Sequence, residues 1–145
     1  MTDITVVDAD SSHAERIAEL EKRYIDCAWT AEQVRSETEK SNVVFLVALR
    51  GGTAIGYVSG EIAADEMELG NIAVDEAYRR QGVATKLFDA LKTRAKGRGV
   101  NRIFLLVSAD NAVASALYRA VGFTEKGVRR GYYGNSDAVI MELDI

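Results

Sequence analysis

The stretch AYRRQGVATKLF, residues 77–88, decides the fold. Two arginines, a glutamine, a glycine and a small residue run straight into an amphipathic helix with Leu87, Phe88 and Leu91 on one face. First-turn amides of a helix have no intrahelical partners, and the aligned peptide dipoles add partial positive charge there. Gly82 lets the backbone approach a ligand with no Cβ in the way, and Ala84 keeps the same surface low. Thr85 adds a hydroxyl, and Arg79 and Arg80 add cationic side chains. The residues alone leave two readings of this helix start: a seat for a phosphate or diphosphate, or a capped helix with solvated arginines. It is not a P-loop, whose G-x-x-x-x-G-K-[ST] spacing is missing, nor a Rossmann fingerprint, since only one glycine is present.

Working outward, NIAV at residues 71–74 ends a strand MELGNIAV, residues 67–74, with Gly70 inside it. A glycine within a strand marks a bulge or a close backbone approach. Before it, NVVFLVALR and TAIGYVSGEIA are two strands joined by a Gly51-Gly52 hairpin turn. A strand at residues 4–7 opens the chain. Two helices follow it, with Ser12/Glu15 and Thr30/Gln33 at capping-box spacing and Ile17, Leu20 and Tyr24 on one face of the first. After the central helix, which ends near Gly97 and Gly99, RIFLLV at 102–107 is nearly continuous in apolar residues and reads as a strand buried on both faces. NAVASALYRAVGF, residues 111–123, is a short helix closed by Gly122. TEKGVRRGYY and AVIMELDI are two last strands around a GNSD turn. The order β-α-α-β-β-β-α-β-α-β-β predicts a mixed sheet with helices packed on it, an α/β or α+β class, in one domain spanning residues 1–145.

Bulk composition narrows the function classes. Lys plus Arg is 18 against 22 Asp plus Glu, a net charge of −4, where a general nucleic-acid binder needs a basic surface. No apolar run approaches the roughly 20 residues that cross a bilayer. The acidic start MTDITVVDAD lacks the basic and apolar regions of a secretory signal, so a cytoplasmic location is expected. The one histidine, His13, and one cysteine, Cys27, do not suggest a metal site, and Cys27 reads as a small buried side chain. The chain contains no proline.

Arg79-Arg80-Gln81-Gly82-Val83-Ala84 fits R/Q-x-x-G-x-G/A and follows a strand. It resembles motif A of the GNAT superfamily of acetyl-CoA-dependent N-acyltransferases. NAVASALYRAVGF resembles the superfamily's motif B, a helix with Asn at its head and Tyr within it. The tail GVRRGYYGNSDAVIMELDI and the segment AWTAEQ, residues 28–33, are similar to the bacterial ribosomal-protein alanine N-acetyltransferase branch, the RimI type. The resemblance covers nearly the whole chain. It implies the GNAT fold: a mixed, mostly antiparallel central sheet splayed at a coenzyme cleft, with about four helices on its faces.

The same resemblance implies roles residue by residue. The coenzyme diphosphate would sit on the amides of Arg80, Gln81, Gly82, Val83, Ala84 and Thr85, with Arg79 beside them. The pantetheine arm would pair with the strand carrying Ile72, Ala73 and Val74, one of whose N–H groups would face the thioester oxygen. Gly70 would be the bulge that splays this strand from RIFLLV. Asn111 would contact the pantetheine, cap its helix, or do both. Tyr118 would protonate the leaving thiolate; its alternative is a core aromatic with a satisfied hydroxyl. Tyr132 and Tyr133 would close over a substrate peptide or else pack at a strand end. Trp29 would pack the first helices near the peptide side. The implied partners are acetyl-CoA and a protein N-terminus, such as that of a basic ribosomal protein, with attack in a ternary complex and the chain working as a monomer. No covalent acetyl-enzyme is expected, because no Cys-His pair or similar nucleophile is placed.

One position departs from the pattern. RimI-type enzymes usually carry a glutamate in the strand before motif B; here that position is Leu106, which cannot take a proton. An α-amine has a pKa of ~7.7–8.0, so finding it neutral near pH 7 costs about 1 kcal/mol, whereas a lysine amine at pKa ~10.4 costs about 4–5 kcal/mol. Loss of the glutamate is therefore tolerable for an N-terminal amine. Either the base lies elsewhere, or none is required, or activity is lost; Glu68, four residues before Ile72, is the best substitute, on the same face as Ile72 unless the Gly70 bulge breaks the parity, and its alternative is one more exposed carboxylate. The acidic segment ADEME, residues 64–68, with Glu61, would line an approach attractive to a basic peptide.

Overall fold

The computed structural model describes residues 3–25 and 27–145. Seven strands form one sheet in the order β1-β2-β3-β4-β5-β7-β6. They are β1 (Ile4–Asp8), β2 (Val43–Arg50), β3 (Thr53–Ala63), β4 (Glu66–Val74), β5 (Arg102–Ser108), β6 (Thr124–Arg129) and β7 (Ala138–Asp144). Every neighbouring pair is antiparallel except β4 and β5. The helices are α1 (Ala14–Tyr24), α2 (Ala31–Glu39), α3 (Val83–Gly97) and α4 (Ala112–Ala120). The expected element order holds throughout, and no described helix is long and apolar enough to cross a membrane.

Two cores sandwich the sheet. On one face α3 buries Leu87, Phe88 and Leu91 against Leu46, Val58, Met67, Leu69, Ile103 and Leu105. Each such side chain contributes about 1.5–3 kcal/mol on leaving water. On the other face α1 and α2 bury Ile17, Leu20 and Val34 against Phe45, Val47 and Tyr57. The Gly51-Gly52 turn has φ of 59° and 80°, the left-handed pair that joins β2 tightly to β3. Thr30 and Gln33 form the expected capping box.

Several local expectations are corrected. The first box is not Ser12/Glu15: Asp10 accepts from the Ser12 amide and His13 accepts from the Asp10 amide, capping a 3-10 turn ahead of α1. Cys27 is exposed rather than buried, with φ of 55°. β5 is buried on one face only: Ile103, Leu105 and Val107 are core, while Phe104 and Leu106 are half-buried on the α1–α2 side. β6 stops at Arg129, so Tyr132 and Tyr133 lie in the loop before β7 and not at a strand end.

The bulge is where Gly70 marked it. Val58 pairs with Ile72 and Gly60 with Leu69, so Gly70 and Asn71 together oppose Ser59. The approach is close enough that a Cβ at Gly70 would meet Ser59 Oγ at 2.5 Å. The extra residue turns the strand. β4 pairs with β5 over three rungs only, Glu66 with Arg102, Met67 with Ile103 and Glu68 with Phe104. Beyond Glu68 both strands continue unpaired with each other, and the sheet forks.

Candidate active site

A cleft of about 550 Å³ runs from this fork to the start of α3. Its walls include Ile72, Ala73 and Val74 of β4, Arg79, Arg80 and Gly82 to Thr85 at the α3 end, and Asn111 and Tyr118 of α4. Of the expected coenzyme-binding residues only Gln81 is absent from the lining; its side chain accepts from Arg50 Nη1 at 2.9 Å. Tyr24, Ile25 and Tyr78 also line the cleft and were not foreseen. Tyr24 had a visible signal, since it ends the apolar face of α1 at the turn where the chain leaves the helix.

The α3 end is built as an anion seat. Among the described residues none accepts a hydrogen bond from the amides of residues 80–85, and the first helical bond runs from the Lys86 amide to the Gly82 carbonyl. Arg80 has φ of 63° and Gly82 φ of 75°. Left-handed residues interleaved with ordinary ones turn successive N–H groups toward one concavity. A Cβ at Gly82 would meet nothing within 4 Å, so the space above it is open. The loop is anchored from behind: Asp75 caps the preceding turn through the Ala77 amide and pairs with Arg16 of α1 at 2.6 Å. The Ala77 amide and the Arg16 guanidinium together hold the Asp75 carboxyl below its ordinary range. These features fit a diphosphate.

β4 offers the second half of the seat. The Asp75 amide donates to the Ile55 carbonyl of β3, so the Val74 carbonyl in the same peptide plane points the other way, into the fork. Alternation along an antiparallel ladder then sends the N–H and C=O of both Ile72 and Val74 into the fork, and those of Ala73 toward β3. Of the three expected residues, Ile72 and Val74 thus turn backbone groups into the fork, while Ala73, also in the cleft wall, packs in the second core.

Asn111 caps α4, its Oδ1 accepting from the Ala114 amide at 3.1 Å, which leaves its NH₂ group to donate. Tyr118 packs edge-on against Phe88 and Phe123 at 6.3 and 5.8 Å between ring centroids, and also borders the cleft. Its ring packs with the core, and the same residue lines the cleft. Burial, followed by proximity to Tyr133, pushes its pKa above the ordinary 10.0. The 130–137 loop thereby reaches α4. Tyr132 and Tyr133 are exposed there, stacked edge to face at 5.0 Å.

The acidic residues behave differently from expectation. Met67 and Leu69 face α3, and Ile72 and Val74 face it again after the bulge. Glu68 therefore points to the α1–α2 side, opposite Ile72, on the same face as Leu106. The extra residue in β4 breaks the regular parity. Glu68 is exposed on the last paired rung, at the vertex of the fork, and does not line the cleft. Glu61, Asp65 and Glu66 do not line it either: Asp65 Oδ2 accepts from Asn101 at 3.1 Å and Glu66 lies 3.7 Å from Arg102, tying the closed end of the fork. Trp29 packs on Phe45 at 6.2 Å in the second core.

The forked strand and the unpaired helix start both lie within the stretch that a family model matches. Residues 14–123 fit the model described as the acetyltransferase (GNAT) family. The chain belongs to the GNAT acetyltransferase family. It is 36% identical over 130 residues to the ribosomal protein bS18-alanine N-acetyltransferase of Escherichia coli strain K12, with 87% of each chain covered. It is 35% identical to N-alpha-acetyltransferase RimI of Mycobacterium tuberculosis, over 97% of this chain and 92% of the relative. The crystal structure of the ribosomal-protein-S18-alanine N-acetyltransferase from Escherichia coli superposes with a TM-score of 0.86 and 31% identity, covering 99% of this chain and 94% of that one. This GNAT chain is an acetyl-CoA-dependent N-acetyltransferase of the RimI type.

Proposed function

We propose that this GNAT enzyme acetylates the α-amine at the N-terminus of a protein, of the ribosomal-protein alanine kind, by direct attack in a ternary complex. The observation that carries the reading is the combination of a complete coenzyme cleft with Leu106 half-exposed where a glutamate is usual. An acceptor that is already partly neutral at pH 7 suits such a site, and an α-amine is that acceptor. Similarity to N-terminal acetyltransferases along nearly the whole chain supports it.

Acetyl-CoA supplies the acetyl thioester. The amides of residues 80–85 hold its diphosphate, with the Arg79 and Arg80 side chains adding charge. The Ile72 and Val74 edges align its arm, and the NH₂ group of Asn111 steadies it. As the amine nitrogen bonds to the acyl carbon, the Ile72 N–H stabilises the charge that develops on the carbonyl oxygen. The Tyr118 hydroxyl, kept protonated by burial, delivers its proton to the departing sulfur as the carbon–sulfur bond breaks. The ammonium proton leaves toward the α1–α2 face, to water or to Glu68, which is exposed there. Tyr132 and Tyr133 on one side and the Trp29 segment on the other flank the acceptor's path. In this reading the enzyme works as a monomer in the cytoplasm, where a ribosomal-protein acceptor would meet it.

The test is incubation with acetyl-CoA and a library of peptides with free N-termini, with acetylated positions mapped by mass spectrometry. Blocked α-amines with untouched lysines are expected, at a rate that levels near pH 8. Acetylated lysines and a rate still rising at pH 9–10 would reassign the acceptor. Coenzyme binding with no thiol release against any peptide would make the chain a binding module.

A further inference from the structure

Glu21 has no part in the site described above, yet it is the most unusual group in the protein. It is fully buried in the last turn of α1, and among the described residues it has no ion-pair partner. A carboxylate taken out of water without a counter-charge is costly unless donors surround it. Four donor contacts do so. The Trp29 amide reaches Oε1 at 3.0 Å, Asn71 Nδ2 reaches the two oxygens at 3.1 and 3.0 Å, and the Tyr57 hydroxyl donates to Oε2. Burial pushes the carboxyl's pKa up, against the Trp29 and Asn71 donors.

The partners are not scattered. Trp29 sits in the connection between α1 and α2, which begins with the cleft residue Ile25. Asn71 is one of the two bulge residues opposite Ser59, and the next residue, Ile72, turns its N–H into the fork. The Asn71 backbone is held from the other side by Ser59, whose Oγ accepts its amide at 3.3 Å. One buried carboxylate thus joins the wall on the acceptor side to the bulge that aims the Ile72 amide. An apolar side chain of similar size would fill the same space but leave the Trp29, Tyr57 and Asn71 donors without their acceptor. The carboxylate holds these donors, and the elements that carry them, together.

We propose that Glu21 is a positioning residue for acetyl transfer: through Asn71 and the Trp29 amide it fixes the β4 bulge and the α1–α2 connection in one relation, so that the Ile72 N–H and the incoming amine meet the same acyl carbon. It touches neither substrate. The inference rests on the α-amine reading only for the identity of the amine.

Glu21→Met, which keeps length and helix propensity but accepts no hydrogen bond, is compared with Asn71→Ala and with the double variant. Each is measured for thermal midpoint, acetyl-CoA dissociation constant, and kcat and KM for the peptide best acetylated by the wild type. The expected result for Glu21→Met is a lower midpoint, because three donors lose their acceptor, and a coenzyme constant within about twofold, because the diphosphate seat is remote. Its kcat falls about 10- to 100-fold, the scale of a misplaced reacting group. The double variant loses no more than the worse single one, since both cut the same link. Amide hydrogen exchange, run without any acceptor, quickens in residues 22–30 and 68–74 together. Wild-type kcat in Glu21→Met, losses that multiply in the double variant, or exchange that quickens in only one segment would each overturn the proposal. If Glu21→Met does not fold, Asn71→Ala alone decides by its kcat and by exchange in both segments. A wild type that acetylates lysines instead would sink the α-amine reading while leaving these outcomes readable.

Discussion

Arg79 Nε donates to the Val74 carbonyl at 3.1 Å, while its guanidinium lies 4.6 Å from the centroid of the Tyr24 ring. A cation of the diphosphate loop thus occupies the strand-edge acceptor that a pantetheine amide would use. If the coenzyme binds as proposed, Arg79 would swing from Val74 toward the diphosphate. The residue would then hinder one half of the coenzyme and help the other.

That opposition predicts opposite effects from one substitution. Arg79→Ala frees the Val74 carbonyl, worth about 1 kcal/mol or roughly threefold to fivefold in affinity for an amide that pairs with it. An acetyl thioester of pantetheine lacking the diphosphate should be used more efficiently by the variant, by that factor in kcat/KM. Acetyl-CoA itself should be used less efficiently, because the charge is gone. Steady-state kinetics with both thioesters checks the pair; a change in the same direction for both would remove Arg79 from one of its two roles.

Gly82→Ala tests the anion seat. In the free protein a Cβ there meets open space, so the folding cost is only that of holding alanine at φ of 75°, about 1–2 kcal/mol. With coenzyme bound, the same methyl stands where the diphosphate must approach the amides. We expect the acetyl-CoA dissociation constant to rise about 10- to 100-fold, matching the loss of one or two charge-assisted hydrogen bonds. The thermal midpoint should move by only a few degrees. Calorimetric titration and a melting curve separate the two effects.

The parts of this structure that were legible in the sequence are those set by local periodicity and by glycine. Alternation and 3.6-residue spacing placed all eleven strands and helices, and Gly70 marked the bulge. What escaped were consequences carried across the sheet. Gly70 announces an extra residue but not that Glu68 thereby turns away from Ile72; that depends on which strand holds the surplus. Leu106 looked doubly buried because an apolar run carries no sign of the neighbouring strand's departure. Glu21 escaped because a glutamate in AELEKRY is ordinarily solvated, although its place four residues after Ile17 and next to Leu20 put it on the apolar face of α1.

Tyr118→Phe removes the proposed proton donor and leaves the ring packing with Phe88 and Phe123 in place. A thiol of pKa ~8.5 is already a fair leaving group, so kcat should fall about 100-fold, the low end for general-acid catalysis, with coenzyme affinity unchanged. The pH dependence carries a sign. Burial raises the Tyr118 pKa above 10.0, so the neutral, donating form persists through that pH and is lost only beyond it. The wild-type kcat should show no alkaline decline below pH 10. Any decline above it should disappear in Tyr118→Phe. A wild-type decline centred near pH 8 or 9 would mean that a different group supplies the proton.

The base is tested on the face that Glu68 shares with Leu106. If Glu68 takes the ammonium proton, Glu68→Gln should lower kcat/KM for a peptide α-amine most at pH 6–7, by about tenfold, with the deficit closing as the amine's own pKa of ~7.7–8.0 is passed. Leu106→Glu should do the reverse: a carboxylate on the part of β5 that no longer pairs with β4, beyond the rung of Glu68 and Phe104, raises the low-pH rate and shifts the profile's rise toward acid. The double variant separates the roles, because a working carboxylate at residue 106 makes residue 68 dispensable and the Glu68→Gln penalty should vanish in that background. Rate–pH profiles of the four proteins between pH 6 and 9 provide the comparison. A Glu68→Gln profile superimposable on wild type, with Leu106→Glu still faster at low pH, would assign the proton to water and leave this enzyme without a side-chain base.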